Sequence, residues 1–151
     1  MRETTLCYIE NDNCYLMLHR IKKKQDINKG KWIGVGGKIE KDETPLMCIK
    51  REISEETGIN VQNLLYRGRV KFISDIYDDE LMHLFTATTK VAEISPCDEG
   101  ELKWIPKNEI LSLNLWEGDK VFLEYLLNDT ADFFELSLIY KGESLAEVIK
   151  E

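Results

Sequence analysis

Basic charge is scarce in this chain: 20 lysines and arginines stand against 28 acidic residues, for a net charge of −8. That deficit excludes a non-specific electrostatic grip on nucleic acid or on an anionic membrane surface. It also means that an anionic substrate needs a cation between itself and the protein. Cysteine is sparse and scattered: Cys7, Cys14, Cys48 and Cys97 form no CxxC pair. Neither a zinc knuckle nor a disulfide framework is in view, so a reducing, cytoplasmic setting is expected. No run approaches a membrane span, and the opening MRETTLCYIE has no signal-peptide hydrophobic region. Internal repeats, low-complexity tracts and linkers are missing too. What remains, 43% hydrophobic and 32% charged over 151 residues, is an ordinary soluble composition. It fits one domain, 1–151, with room for one sizeable core.

Three prolines, Pro45, Pro96 and Pro106, punctuate a chain that reads as strands interrupted by two helices. TTLCYIE and CYLMLHR, joined by Asn11-Asp12-Asn13, read as two strands around a polar turn. The basic loop IKKKQDINKGK follows, and then WIGV running into Gly36-Gly37. A helix is expected to open with Thr44 as N-cap and Pro45 at its first position, and to stop at Gly58. Leu46, Ile49 and Ile53 recur at helical spacing as its buried stripe. LLYRGRVKFISD, LMHLFTATT and LKWIP read as further strands, with a turn around Tyr77-Asp78-Asp79. A second helix is expected over Lys120–Asn128, with Phe122, Leu123, Leu126 and Leu127 inward, and a closing hairpin turns at Lys141-Gly142. Strands on both sides of helices, without regular alternation, predict an α+β fold with a mixed sheet.

The first helix carries Glu52, Glu55 and Glu56 just before its stop. Like charges four apart cost roughly 0.2–0.5 kcal/mol per pair, and negative charge at a helix C-terminus opposes the macrodipole. The three glutamates fall within an arc of roughly 100° beside the buried stripe. Hard oxygen donors on one flank suit Mg²⁺ or Mn²⁺, and such a cation also lets an acidic protein hold a polyphosphate. Arg51, one turn before Glu55 and within reach of Glu43, is expected to hold carboxylates in place.

Residues 37–59, GKIEKDETPLMCIKREISEETGI, place Gly37, Glu43, Arg51, Glu52, Ile53, Glu55, Glu56, Gly58 and Ile59 at fixed spacing. This segment resembles the Nudix signature position for position, and the sequence is identified on it as a member of that family. The resemblance implies an α/β/α sandwich with a mixed sheet between helices. It implies hydrolysis of a nucleoside diphosphate linked to another moiety, with the Gly37 carbonyl, Glu52, Glu55 and Glu56 as metal ligands. One of these glutamates, or one from a later loop, is then the general base; Glu52 is favoured, and Glu55 and Arg51 complete the catalytic set. Lys38 reads either as a phosphate contact or as a solvated lysine.

GKWIGVGGKIE before the signature and LWEGDKVF after it resemble the MutT-type oxidised-purine nucleoside triphosphatases. That likeness implies Glu99, five residues before Trp104, as a further metal ligand. It makes Trp116 a candidate to stack a purine and Asp119 a candidate to bond its edge. The alternatives are a core tryptophan and an acid at a helix N-terminus, where the dipole welcomes it. Vertebrate members of the group carry a base-reading asparagine where this chain has Ile33, and an aspartate where it has Gly118. The implied reaction cleaves a nucleoside triphosphate such as 8-oxo-dGTP to monophosphate and pyrophosphate, with a small-molecule nucleotide as partner and homodimerisation open. A dinucleoside polyphosphate hydrolase, with Tyr77 as its mark, is the alternative enzyme; a non-catalytic nucleotide sensor is the other. Lys22-Lys23-Lys24 reads as a solvated loop, and His19 and His83 as structural.

Overall fold

The computed structural model of the protein describes residues 1–94, 96–128 and 132–151. Strand β1 (Arg2–Asn11) turns into β2 (Cys14–His19) through Asp12 and Asn13, both at positive φ. Aspartate and asparagine tolerate that left-handed region best among residues with a side chain, and a two-residue hairpin with strand-matched twist requires it. There follow β3 (Trp32–Ile33), β4 (Val35–Lys38), helix α1 (Pro45–Thr57), β5 (Gln62–Ser74), β6 (Glu80–Thr88) and β7 (Glu101–Pro106). A 3-10 turn over Lys107–Ser112 leads to helix α2 (Glu117–Leu127), and β8 (Phe134–Lys141) and β9 (Ser144–Lys150) close the chain.

Among the described residues the strands form one sheet in the order β3-β2-β1-β6-β5-β8-β9, with β4 paired to β1 and β7 to β2. The β1–β6 and β5–β8 pairs are parallel and the rest antiparallel. The sheet is therefore mixed, as the irregular order of strands and helices predicts.

Strand period two divides the apolar side chains between two faces. Leu6 and Tyr8 of β1, Met82 and Leu84 of β6, and Leu136, Leu138 and Tyr140 of β8 meet Phe122, Leu123 and Leu126 of α2. Cys7, Ile9, Phe85 and Ala87 point the other way and meet Ile49 and Ile53 of α1. The one core expected from composition is thus two cores back to back on a sheet. Burying an isoleucine of α1 contributes about 1.5–3 kcal/mol to holding that helix.

Helix α1 starts and stops where its local chemistry dictates. The Thr44 side chain accepts from the Met47 N–H, Pro45 opens the first turn, and Gly58 sits at φ 69 with its N–H bonded to the Ser54 carbonyl. Its stripe differs from expectation at one position. Leu46 is 45% exposed, and Cys48, fully buried, takes the place beside Ile49 and Ile53. Leu46 lies in the first turn, ahead of the turns that pack on the sheet. Helix α2 starts three residues earlier than Lys120, at Glu117, and Leu127 is only partly buried while Phe122, Leu123 and Leu126 are inward as expected. Asn128 caps the helix and does not belong to it.

Candidate active site

The α1 carboxylates divide into two environments. Arg51 gathers the first. Its Nε and Nη2 donate to the two oxygens of Glu43 at 2.7 and 2.9 Å, and Nη1 reaches Glu52 Oε1 at 2.8 Å and Glu55 Oε2 at 3.2 Å. The paired bonds to Glu43 use the fixed fork of the guanidinium. The Arg51 bond above all, with the Glu40 N–H, lowers the Glu43 carboxyl to about 2. Arg51 Nη2 also donates to the Lys38 carbonyl at 3.3 Å, which ties the loop after β4 to the helix. The Lys38 side chain is exposed.

Glu56 is in the second environment. It is 8% exposed; Oε2 accepts the Gly36 N–H at 3.1 Å, while buried Oε1 has no hydrogen-bond partner among the described residues. Burial first, then Glu99 and Glu52, raise its carboxyl to about 9. Burial likewise raises Glu52, with Glu55 and Glu99 adding to the rise and Arg51 opposing it. Glu99 comes from the loop before β7 and is held by Arg20 Nη1 at 3.1 Å and Lys23 Nζ at 3.5 Å. Gly37 packs against Glu52: a methyl group there would stand 2.6 Å from Oε1. The Gly37 carbonyl accepts the Thr5 hydroxyl at 3.3 Å.

Among the described residues no three His, Cys, Asp or Glu side chains stand close enough together, as they lie, to hold a metal ion. The donor set nevertheless fits a divalent cation. Burial, then Glu99 and Glu52, raise the proton affinity of Glu56, Arg51 leaves it uncompensated, and its buried Oε1 has no partner among the described residues. Oxygen donors starved of positive charge are what Mg²⁺ and Mn²⁺ take.

A second cluster lies where α2 begins. Trp116 is the residue before the helix; its Nε1 donates to Asn28 Oδ1 at 2.8 Å, Lys31 Nζ stands 5.0 Å from its ring, and Tyr140 meets it edge-on. Asp119, in the first turn, is 5% exposed, and no described donor reaches its side chain. Burial above all, with Glu80 adding and Lys31 opposing, raises its carboxyl to about 7. The Tyr8 hydroxyl, buried on the same face, has no partner among the described residues either.

That raised carboxyl has a sign. A carboxyl whose folded value lies above its unfolded one takes up protons on folding, so its contribution is full near pH 4 and is lost as pH rises to about 7. Asp119→Asn is therefore expected to gain on the order of 2–4 kcal/mol over the parent at pH 8 and little at pH 4. Urea unfolding at the two pH values checks it; an equal difference at both would assign the effect to packing.

The loop over residues 20–31 connects the two clusters. Arg20 Nε bonds Asp26 at 2.7 Å, Asp26 Oδ1 accepts the Asn28 N–H at 3.0 Å, and Asn28 holds Trp116. At its other end Arg20 and Lys23 hold Glu99, and Lys22 Nζ donates to the Cys97 carbonyl at 2.6 Å. Lys22, Lys23 and Lys24 are exposed, as a solvated loop predicts, and within it Lys22 and Lys23 also make these two contacts. Arg20, Asp26, Asn28 and Tyr140 escaped the sequence reading because their partners are distant in the chain. His19 stacks on Trp32, and His83 bonds Tyr66 and Glu3, both as structural histidines. Tyr77, 39% exposed, bonds through its backbone N–H to Ser74.

No described helix is long and apolar enough to cross a membrane. A MutT protein from Bacillus halodurans superposes with a TM-score of 0.87 at 27% identity, over 100% of this chain and 98% of that one. An oxidized purine nucleoside triphosphate hydrolase of Danio rerio is 34% identical over 107 residues, 70% of this chain and 68% of the relative. An uncharacterized Nudix hydrolase of Bacillus subtilis is 29% identical over 132 residues, 84% of this chain and 80% of the relative. The NUDIX domain family matches residues 1–126. With the signature residues held on α1 as described, the chain belongs to the Nudix family of hydrolases.

Proposed function

We propose that the protein is a divalent-metal-dependent nucleoside triphosphate diphosphohydrolase, releasing nucleoside monophosphate and pyrophosphate, with an oxidised purine such as 8-oxo-dGTP as preferred base. The observation that carries this reading is the loop over residues 20–31. It joins the carboxylate cluster, through Glu99, to the tryptophan–aspartate cluster, through Asn28 and Trp116. A triphosphate and its base need such a pair of clusters on one support. The name of the Danio rerio relative favours the same substrate class.

In this reading Glu52, Glu55, Glu56, Glu99 and the Gly37 carbonyl hold Mg²⁺, or Mn²⁺ in its place. Bound there, the cation supplies neutralising charge for the polyphosphate and lowers the pKa of a bound water. Glu52 takes the proton of the attacking water. Arg51 Nη1 holds Glu52 and Glu55 together, and Glu43 keeps Arg51 in register. Lys38, on the exposed side of the loop, contacts phosphate. Trp116 stacks the purine and Asp119 bonds its edge. The free thiols Cys7, Cys14, Cys48 and Cys97 suit action on a cytoplasmic nucleotide pool.

The test is Mg²⁺-dependent pyrophosphate release from 8-oxo-dGTP, dGTP, dATP and a dinucleoside tetraphosphate, compared as kcat/KM. The highest value is expected for 8-oxo-dGTP, and preference for the dinucleoside would overturn the assignment. Trp116→Ala is expected to raise KM for 8-oxo-dGTP by about tenfold or more, since base stacking contributes roughly 1–3 kcal/mol.

A further inference from the structure

Glycine at 118 is not there for its backbone, which is not at positive φ. It is there for space. A methyl group on Gly118 would stand 2.6 Å from the Tyr140 hydroxyl and 2.8 Å from Leu138 Cδ1. That hydroxyl uses the space to accept the Gly118 N–H at 2.7 Å. The N–H belongs to the first turn of α2, whose amides have no partner within the helix. Tyr140, on β8 and 8% exposed, thus caps α2 from another element, a task usually done by a side chain at the cap position itself. Trp116 holds that position and makes no side-chain cap.

The capped amide lies between the two residues assigned above to the base. Trp116 precedes Gly118 by two residues and Asp119 follows it. The Tyr140 ring packs edge-on against Trp116, with centroids 5.7 Å apart at 74°. One tyrosine therefore fixes the height of the helix start and buttresses the indole beside it. Burial above all holds its phenol protonated far above neutral pH. Having accepted the amide, the hydroxyl keeps a proton to donate.

We propose that Tyr140 is a positioning residue for base recognition: its hydroxyl, in the space left by Gly118, sets the Trp116–Asp119 pair against the purine. The proposal rests on the reading that this pair holds the base. Gly118 and Tyr140 act as one unit, the hydroxyl being the nearest atom that a side chain at 118 would meet.

Tyr140→Phe removes the hydroxyl and keeps the ring. It is expected to raise KM for 8-oxo-dGTP by about fivefold and to lower kcat less. KM for dCTP, which offers no purine to the pair, should move less than KM for 8-oxo-dGTP. A merely structural tyrosine would move both substrates together. Gly118→Ala should lower the melting temperature by roughly 5 °C, and Tyr140→Phe in the same chain should restore part of that loss. The inference is overturned if Tyr140→Phe leaves the purine KM unchanged, or if the double variant is no more stable than Gly118→Ala alone. Trp116→Ala tells the failures apart. If it raises the purine KM while Tyr140→Phe does not, the positioning role alone fails; if neither changes it, the base-site reading fails and takes the inference with it.

Discussion

Glu56→Gln is expected to raise the melting temperature of the protein in EDTA by roughly 3–8 °C and to lower Mg²⁺-dependent turnover by about 100-fold or more. The two effects come from the same atoms. Glu56 Oε2 is satisfied by the Gly36 N–H, but Oε1 is buried without a donor, and Glu99 faces it with further negative charge. With its carboxyl raised to about 9, Glu56 is protonated at neutral pH in the metal-free fold, and because the unfolded glutamate is ionised there, that proton uptake costs stability. In the glutamine the amide oxygen keeps the bond to Gly36, and the NH₂ takes the place of Oε1, where it meets Glu99 as a donor. The metal-free fold gains, while the cation loses an anionic ligand. Thermal unfolding in EDTA and steady-state kinetics in Mg²⁺ check the pair of outcomes. A lower melting temperature would mean that Glu56 is a satisfied structural acid, and retained turnover would remove it from the ligand set.

This opposition explains which parts of the molecule were legible from sequence. The limits of α1 are set by residues acting on their own turn: the Thr44 hydroxyl on the Met47 N–H, Pro45 in the first turn, Gly58 at positive φ. Such chemistry is local and reads directly. The tight β1–β2 turn at Asp12 and Asn13 is legible for the same reason. Leu46 was misplaced because helical spacing reports the face of a helix but not how far the sheet beneath it extends. Helix α2 opens at Glu117, ahead of the expected Lys120, and so takes Gly118, a poor helix former, into its first turn. It is tolerated there because Tyr140, 22 residues later, fills the space and takes the amide. The carboxylates were visible as a spacing, but their division was not. Glu55 faces solvent and Arg51, while Glu56 faces the sheet, and that difference depends on the Gly36 backbone and on a loop some forty residues away.

Glu52→Gln should cost the most turnover for the least structural disturbance. Glu52 sits where every influence on the cluster meets: Arg51 Nη1 bonds its Oε1 at 2.8 Å, Gly37 packs against its carboxylate, and burial, with Glu55 and Glu99 adding, raises its proton affinity. A carboxylate that is both partly buried and partly compensated can accept a proton from water. Glutamine keeps the shape and still accepts from Arg51, so the Arg51 bonds to Glu43 and Glu55 stay in place and the fold is retained. What it loses is basicity. Turnover of 8-oxo-dGTP is expected to fall by roughly 10²–10⁴-fold, with a melting temperature within a few degrees of the parent. Glu55→Gln is the comparison, because that side chain is 60% exposed and its one described ion pair is the 3.2 Å contact with Arg51. If the two variants lose turnover equally, proton transfer is not peculiar to Glu52 and the base belongs elsewhere in the cluster. If the parent itself turns over none of the triphosphates, the carboxylates serve binding alone and the protein is a sensor of nucleotides.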